Sequence, residues 1–76
     1  MILFLNYISM TKKQIGSVIK KRRTELNLTQ KQFAEKIKMP FQHIPNIENG
    51  NTNMTIDSLE RILRALELEM SIEPKP

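Results

Sequence analysis

A chain of 76 residues, 39% of them hydrophobic, has room for one small core and for no second domain or sizeable catalytic cleft. With no cysteine it can form no disulfide, and its single histidine, His43, has no second histidine or cysteine with which to share a metal, so no cofactor is expected and self-association in a reducing cytoplasm is. The net charge of +4 is uneven: residues 1–38 carry nine Lys/Arg against Glu25 and Glu35, a net +7, while residues 39–76 carry three against six acids, a net −3. Such a basic end suits a polyanionic partner, and it equally suits a plain solvated face.

The run Ile2 to Ile8 is apolar, but it lacks the basic flank and small-residue cleavage site of a secretion signal and is too short to span a bilayer, so no membrane partner is expected. Residues 1–11 read as an extension, either an upstream start ahead of Met10 or an apolar arm. Ile15, Val18, Ile19 and Leu26 then recur at helical spacing and predict a first helix from Lys12 to Asn27, with Lys20, Lys21 and Arg22 on a solvated positive face. Thr29 supplies an N-cap hydroxyl and Gln32 the far side of a capping box, opening a second helix that turns Phe33, Ala34 and Ile37 inward. Its N-terminus presents Gln30 and free backbone N–H groups, which suit phosphate.

Lys38-Met39-Pro40 interrupts the pattern, and a third helix is expected within Phe41 to Asn49, with Gly50 as a left-handed terminator. Pro45 means that this helix either starts late, near His43, or is kinked. Thr55 caps a fourth helix in which Ile56, Leu59, Ile62, Leu63 and Leu66 form an apolar stripe and Glu60, Arg61, Arg64 and Glu67 face outward. From Leu68 the periodicity changes to alternation, with Leu68, Met70 and Ile72 apolar, and Pro74 and Pro76 end it. A lone strand needs a partner, so residues 68–76 are expected to join two subunits of a homodimer as an antiparallel ribbon; a frayed tail or pairing with Ile2 to Ile8 is the alternative.

Ile15-Gly16, Leu28-Thr29-Gln30, Phe33-Ala34 and Ile47-Glu48-Asn49-Gly50 sit at the spacing of the Cro and phage-repressor type helix-turn-helix proteins, the Xre family, which residues 12–66 resemble. The resemblance implies an all-α, lambda-repressor-like bundle of four to five short helices over residues 12–67, with the C-terminal strand pairing across the dimer. It also implies a structural ion pair between Arg23 and Glu48. The ending Leu66 to Ile72 resembles the HipB-type antitoxins, a branch that dimerises through such a strand, represses its own operon and binds a HipA-like kinase toxin.

Pro40, Phe41 and Pro45 depart from that family, which usually has a polar residue, a glutamine and a serine at these places. The remaining candidates for reading bases are Gln42, His43 and Asn46, with Phe41 available to a thymine methyl. Phe41 could instead cap the core, and His43 could simply face solvent. Phosphate contacts are expected from Thr29, Gln30, Lys31, Lys38, Asn49, Asn51 and Asn53, and Lys12 and Lys13 could reach the backbone as well. Catalysis is not expected, since no nucleophile lies near a histidine, no carboxylates are paired, and Gly16 and Gly50 cannot make a phosphate loop. The leading reading is a repressor of a palindromic operator that also serves as an antitoxin. The alternatives are a stand-alone phage-type regulator, a protein-interaction module with weakened DNA reading, and a nonspecific DNA-coating protein.

Overall fold

The computed structural model describes residues 2–5 and 11–72, with side chains for 11–68. In chain order it contains β1 (Ile2–Leu5), α1 (Lys12–Glu25), α2 (Gln30–Ile37), α3 (His43–Glu48), α4 (Ile56–Ala65) and β2 (Glu69–Ile72), so four helices stand among the described residues.

Short polar side chains open three of the helices. Thr11 and Gln14 form a reciprocal capping box at α1, the Gln14 N–H donating to the Thr11 hydroxyl at 3.1 Å and the Thr11 N–H to Gln14 Oε1 at 2.8 Å. Thr29 and Gln32 repeat it at α2 with distances of 3.0 and 2.9 Å, and the Thr55 hydroxyl accepts from the Ser58 N–H at 3.1 Å to open α4. Each helix is followed closely by a left-handed residue: Asn27 (φ 59°), Lys38 (φ 56°), Gly50 (φ 74°) and Glu67 (φ 58°). Such a residue turns the chain away from the helix axis and lets the next N–H groups satisfy the last carbonyls. Hence α1 stops at Glu25, two residues short of the expected Asn27.

The helices enclose one core of Ile19, Phe33, Ala34, Ile37, Ile44, Ile47, Leu59, Ile62, Leu63, Leu66 and Leu68. Ile56 is not part of it: placed in the apolar stripe by periodicity, it is 62% exposed at the first turn of α4, beyond the end of the core.

At the C-terminus the expected ribbon between subunits is not supported. Residues Glu69–Ile72, which include Met70 and Ile72, pair in parallel with β1 of the same chain, Ile2 against Glu69 through Leu5 against Ile72. Leu68, expected at a dimer contact, lies buried in the chain's own core. The physical reason is proximity: an unpaired strand must meet its backbone groups somewhere, and a segment of the same chain is present at high effective concentration. The helices supply the long crossover that a parallel pair requires.

Candidate nucleic-acid interface

The site is organised around one buried carboxylate. Arg23 of α1 and Glu48 of α3 are both buried, and their side chains meet in a two-point pair, Nε to Oε2 at 2.6 Å and an NH2 to Oε1 at 3.1 Å. The remaining guanidinium nitrogen of Arg23 donates to the Leu28 carbonyl at 2.7 Å, in the turn before α2. Glu48 Oε1 also accepts from the Gln30 side-chain amide at 3.1 Å. Three helices therefore converge on a single charge. Burying an ion pair is costly unless its lone pairs and protons are matched, and here they are matched by planar, bidentate geometry with two further hydrogen bonds.

Gly16 sets the distance of α1 from α3. A Cβ at this position would lie 2.5 Å from the Ile47 carbonyl oxygen and 2.6 Å from that of Glu48, so only glycine allows this approach. Together with the ion pair, this crossing fixes the position of α3.

Helix α3 starts at His43, which settles the two alternatives for Pro45. Pro45 is the third helical residue, in the first turn, where a backbone N–H has no partner within the helix and its loss costs little. Pro40 and Phe41 lie in the approach, where the His43 and Ile44 N–H groups donate to the Pro40 and Phe41 carbonyls at 3.0 Å. Ile44 and Ile47 face the core, leaving Gln42, His43, Asn46 and Asn49 exposed on the other side, with Phe41 46% exposed beside them. The expected base-reading residues thus share one outward surface.

The residues expected at phosphates are distributed differently. Asn51 and Asn53 are exposed in the loop after α3, and the Lys12 ammonium donates to Asn53 Oδ1 at 2.8 Å across that loop. Gly50 packs against the start of α1 so closely that a Cβ would meet the Lys13 Cα at 2.5 Å. Lys12 and Lys13 are therefore neighbours of the asparagine loop. Lys31 is exposed, whereas the Thr29 hydroxyl is used in the cap and the Gln30 amide is held by Glu48. Lys38 stands apart, lining a groove with Arg61 and Arg64 of α4.

Arg22 corrects the sequence reading. Expected on a solvated face, it is only 19% exposed, donates from Nε to the Leu66 carbonyl at 3.0 Å and lies between Glu25 (3.6 Å) and Glu67 (3.8 Å). It closes the C-terminal end of α4, where carbonyls lack partners and positive charge is favoured. No local pattern could reveal a partner 44 residues away. The capping box of Thr11 and Gln14, also overlooked, did have a signal in its Thr-x-x-Gln spacing.

Two short helices joined by a tight turn, the second held with a polar face outward, make up a helix-turn-helix module. The chain belongs to the helix-turn-helix family, whose profile matches residues 19–72. It is 38% identical to the restriction-modification controller protein C.Esp1396I, solved as a tetramer in complex with its natural 35 base-pair operator, over 80% of each chain with a TM-score of 0.72. Two more distant structures share the fold. They are the controller protein C.AhdI from Aeromonas hydrophila (21% identity, 76% of this chain and 88% of that one, TM-score 0.72) and the clp gene regulator ClgR from C. glutamicum (17%, 79% and 77%, 0.75). No curated protein matches the chain.

Proposed function

We propose that the chain is a sequence-specific DNA-binding transcriptional regulator that acts, like a restriction-modification controller protein, as a homodimer on a palindromic operator. The observation that carries this reading is the exposure of His43 and Asn46 on α3, and of Gln42 and Asn49 at its two ends, while the opposite face of the helix is locked by Arg23–Glu48. Base readout requires donors and acceptors held in place before DNA arrives, and side-chain amides match the paired donor and acceptor of adenine. Phe41 offers an apolar surface to a thymine methyl. Lys31, Asn49, Asn51 and Asn53, with Lys12 and Lys13 beside them, take the phosphates, and Gln30 reaches the backbone already oriented by Glu48. Thr29 contributes through the helix start it caps.

The finer reading as an antitoxin with a HipA-like kinase partner rests on the ending Leu66 to Ile72. That support is weakened, because Leu68 is buried in the core and residues 69–72 pair with β1. Identity of 38% over four fifths of the chain favours the controller type. The interaction-module reading loses its main ground as well, since Pro45 falls in the first helical turn and leaves the outward face of α3 intact.

The test is a titration of the labelled promoter of the gene itself, with unrelated duplex as competitor. A dimer touching several phosphates per subunit should lose affinity on the order of a thousandfold between 50 and 200 mM salt. Unrelated duplex should compete poorly; equal competition would reduce the protein to a nonspecific coat. Specific capture of a kinase encoded beside the gene would restore the antitoxin reading.

A further inference from the structure

The C-terminal end of α2 and the outer side of α4 enclose an open groove of about 480 Å³, lined by Lys36, Ile37, Lys38, Arg61, Arg64 and Ala65. We propose that this groove is a docking site for an acidic amphipathic segment of a partner protein. Its chemistry has two parts. Ile37 closes the bottom and is itself almost fully buried, so the apolar surface a partner can reach is the half-buried Ala65 with the methylene stems of four exposed cationic side chains that stand around it.

A lone inorganic anion fits this poorly, because the cations are solvated ends of long stems and the apolar surface would remain bare. A helix with carboxylates flanking one or two apolar side chains uses both parts, its apolar residues on Ala65 and the stems of the cations and its acids against the charged rim. Charge complementarity selects the occupant. Among the described residues beside the groove, Glu60 pairs with Arg64 at 2.9 Å, and both partners are more than half exposed. Such a pair contributes little, so Arg64 can exchange Glu60 for a carboxylate of the partner.

Along α2, the groove lies at the end opposite to Gln30. Gln30, bonded to Glu48, begins α2, while Lys36 and Ile37 end it, about 10 Å further along the axis at ~1.5 Å per residue. Lys38 adopts the left-handed conformation (φ 56°, ψ 50°) that glycine takes most readily, so a cation occupies a position where glycine is the commoner terminator. The protein can therefore hold an operator on one side and an acidic partner on another.

The experiment is an NMR titration of the ¹⁵N-labelled full chain with a synthetic Glu/Leu amphipathic peptide and, in parallel, its Lys/Leu counterpart. The acidic peptide should shift the amides of residues 36–38 and 61–65 and leave those of 42–53 unmoved. The double variant Lys36→Glu, Arg61→Glu, altered at exposed positions, should keep a dispersed spectrum and bind this peptide at least about tenfold more weakly. Four results would overturn the proposal: no binding, equal binding of both peptides, the same shifts from inorganic phosphate alone, or displacement of the peptide by promoter DNA. Promoter binding, measured separately, shows whether the regulator reading stands whatever happens at the groove.

Discussion

Arg23 and Glu48 show how one contact can hold both the fold and the site. Removing either partner leaves the other charge buried without compensation, so Glu48→Ala is expected to cost about 3–5 kcal/mol. A domain of this size has roughly 5–10 kcal/mol in total, so urea denaturation should find the variant near the edge of folding. Replacing both at once, Arg23→Met with Glu48→Leu, should recover most of that stability, since no unpaired charge remains. The double variant still loses the acceptor that orients Gln30, and its operator affinity should fall although its fold survives. Asn46 gives the opposite case. Its side chain is exposed, so Asn46→Ala should change stability by no more than about 0.5 kcal/mol. Against an operator, the loss should be about 1–3 kcal/mol and confined to one base pair in a panel of single-site mismatches. Uniform weakening across the panel would assign Asn46 to the phosphates. At this scale the sequence was legible where a family resemblance tied both partners together, as it did for Arg23 and Glu48. It was silent where the partner was a backbone atom, as with Arg22 and the carbonyl of Leu66.

Elements were legible through caps and periodicity, because both act within a few residues. Thr29 with Gln32, Thr55, and the inward spacing of Phe33, Ala34, Ile37, Leu59, Ile62 and Leu63 all indicate their helices directly. Periodicity identifies a face but not where the core beneath it ends, which is why Ile56 follows the stripe and still faces solvent. Spacing between helices is even less visible, and Gly16 is the example. In an exposed helix Gly→Ala stabilises by about 1 kcal/mol through backbone entropy alone. At Gly16 the new methyl would press on the backbone carbonyls of Ile47 and Glu48, which cannot swing aside as a side chain could. Gly16→Ala should therefore destabilise by about 1–3 kcal/mol in thermal or urea melts. Because the pressure falls on α3, operator affinity should drop along with stability. A stabilised variant with unchanged DNA binding would show that α1 and α3 lie further apart than described.

For the molecule as a whole, the unsolved step in the sequence was the partner of the last strand. Alternation of Leu68, Met70 and Ile72 says that backbone groups need pairing, and it says this identically for a second subunit and for the chain's own beginning. The choice depends on effective concentration and on whether the helices bring the two ends together, neither of which is written in a local pattern. In the structure Ile2–Leu5 takes the position, and among the described residues the sheet has these two strands alone, each with one open edge. A chain beginning at Met10 would lack β1 but keep every core residue among those described, Ile19 to Leu68, with Ile15 and Val18 packed against them. Residues Glu69–Ile72 would then have both edges open and no partner within the chain, and the same strand of a second copy becomes the nearest substitute. The shortened protein should accordingly dimerise more tightly than the full chain in sedimentation equilibrium, at equal salt and with the same helical signal. Equal dissociation constants would mean that subunits meet through another surface and that β1 closes the sheet without influencing assembly.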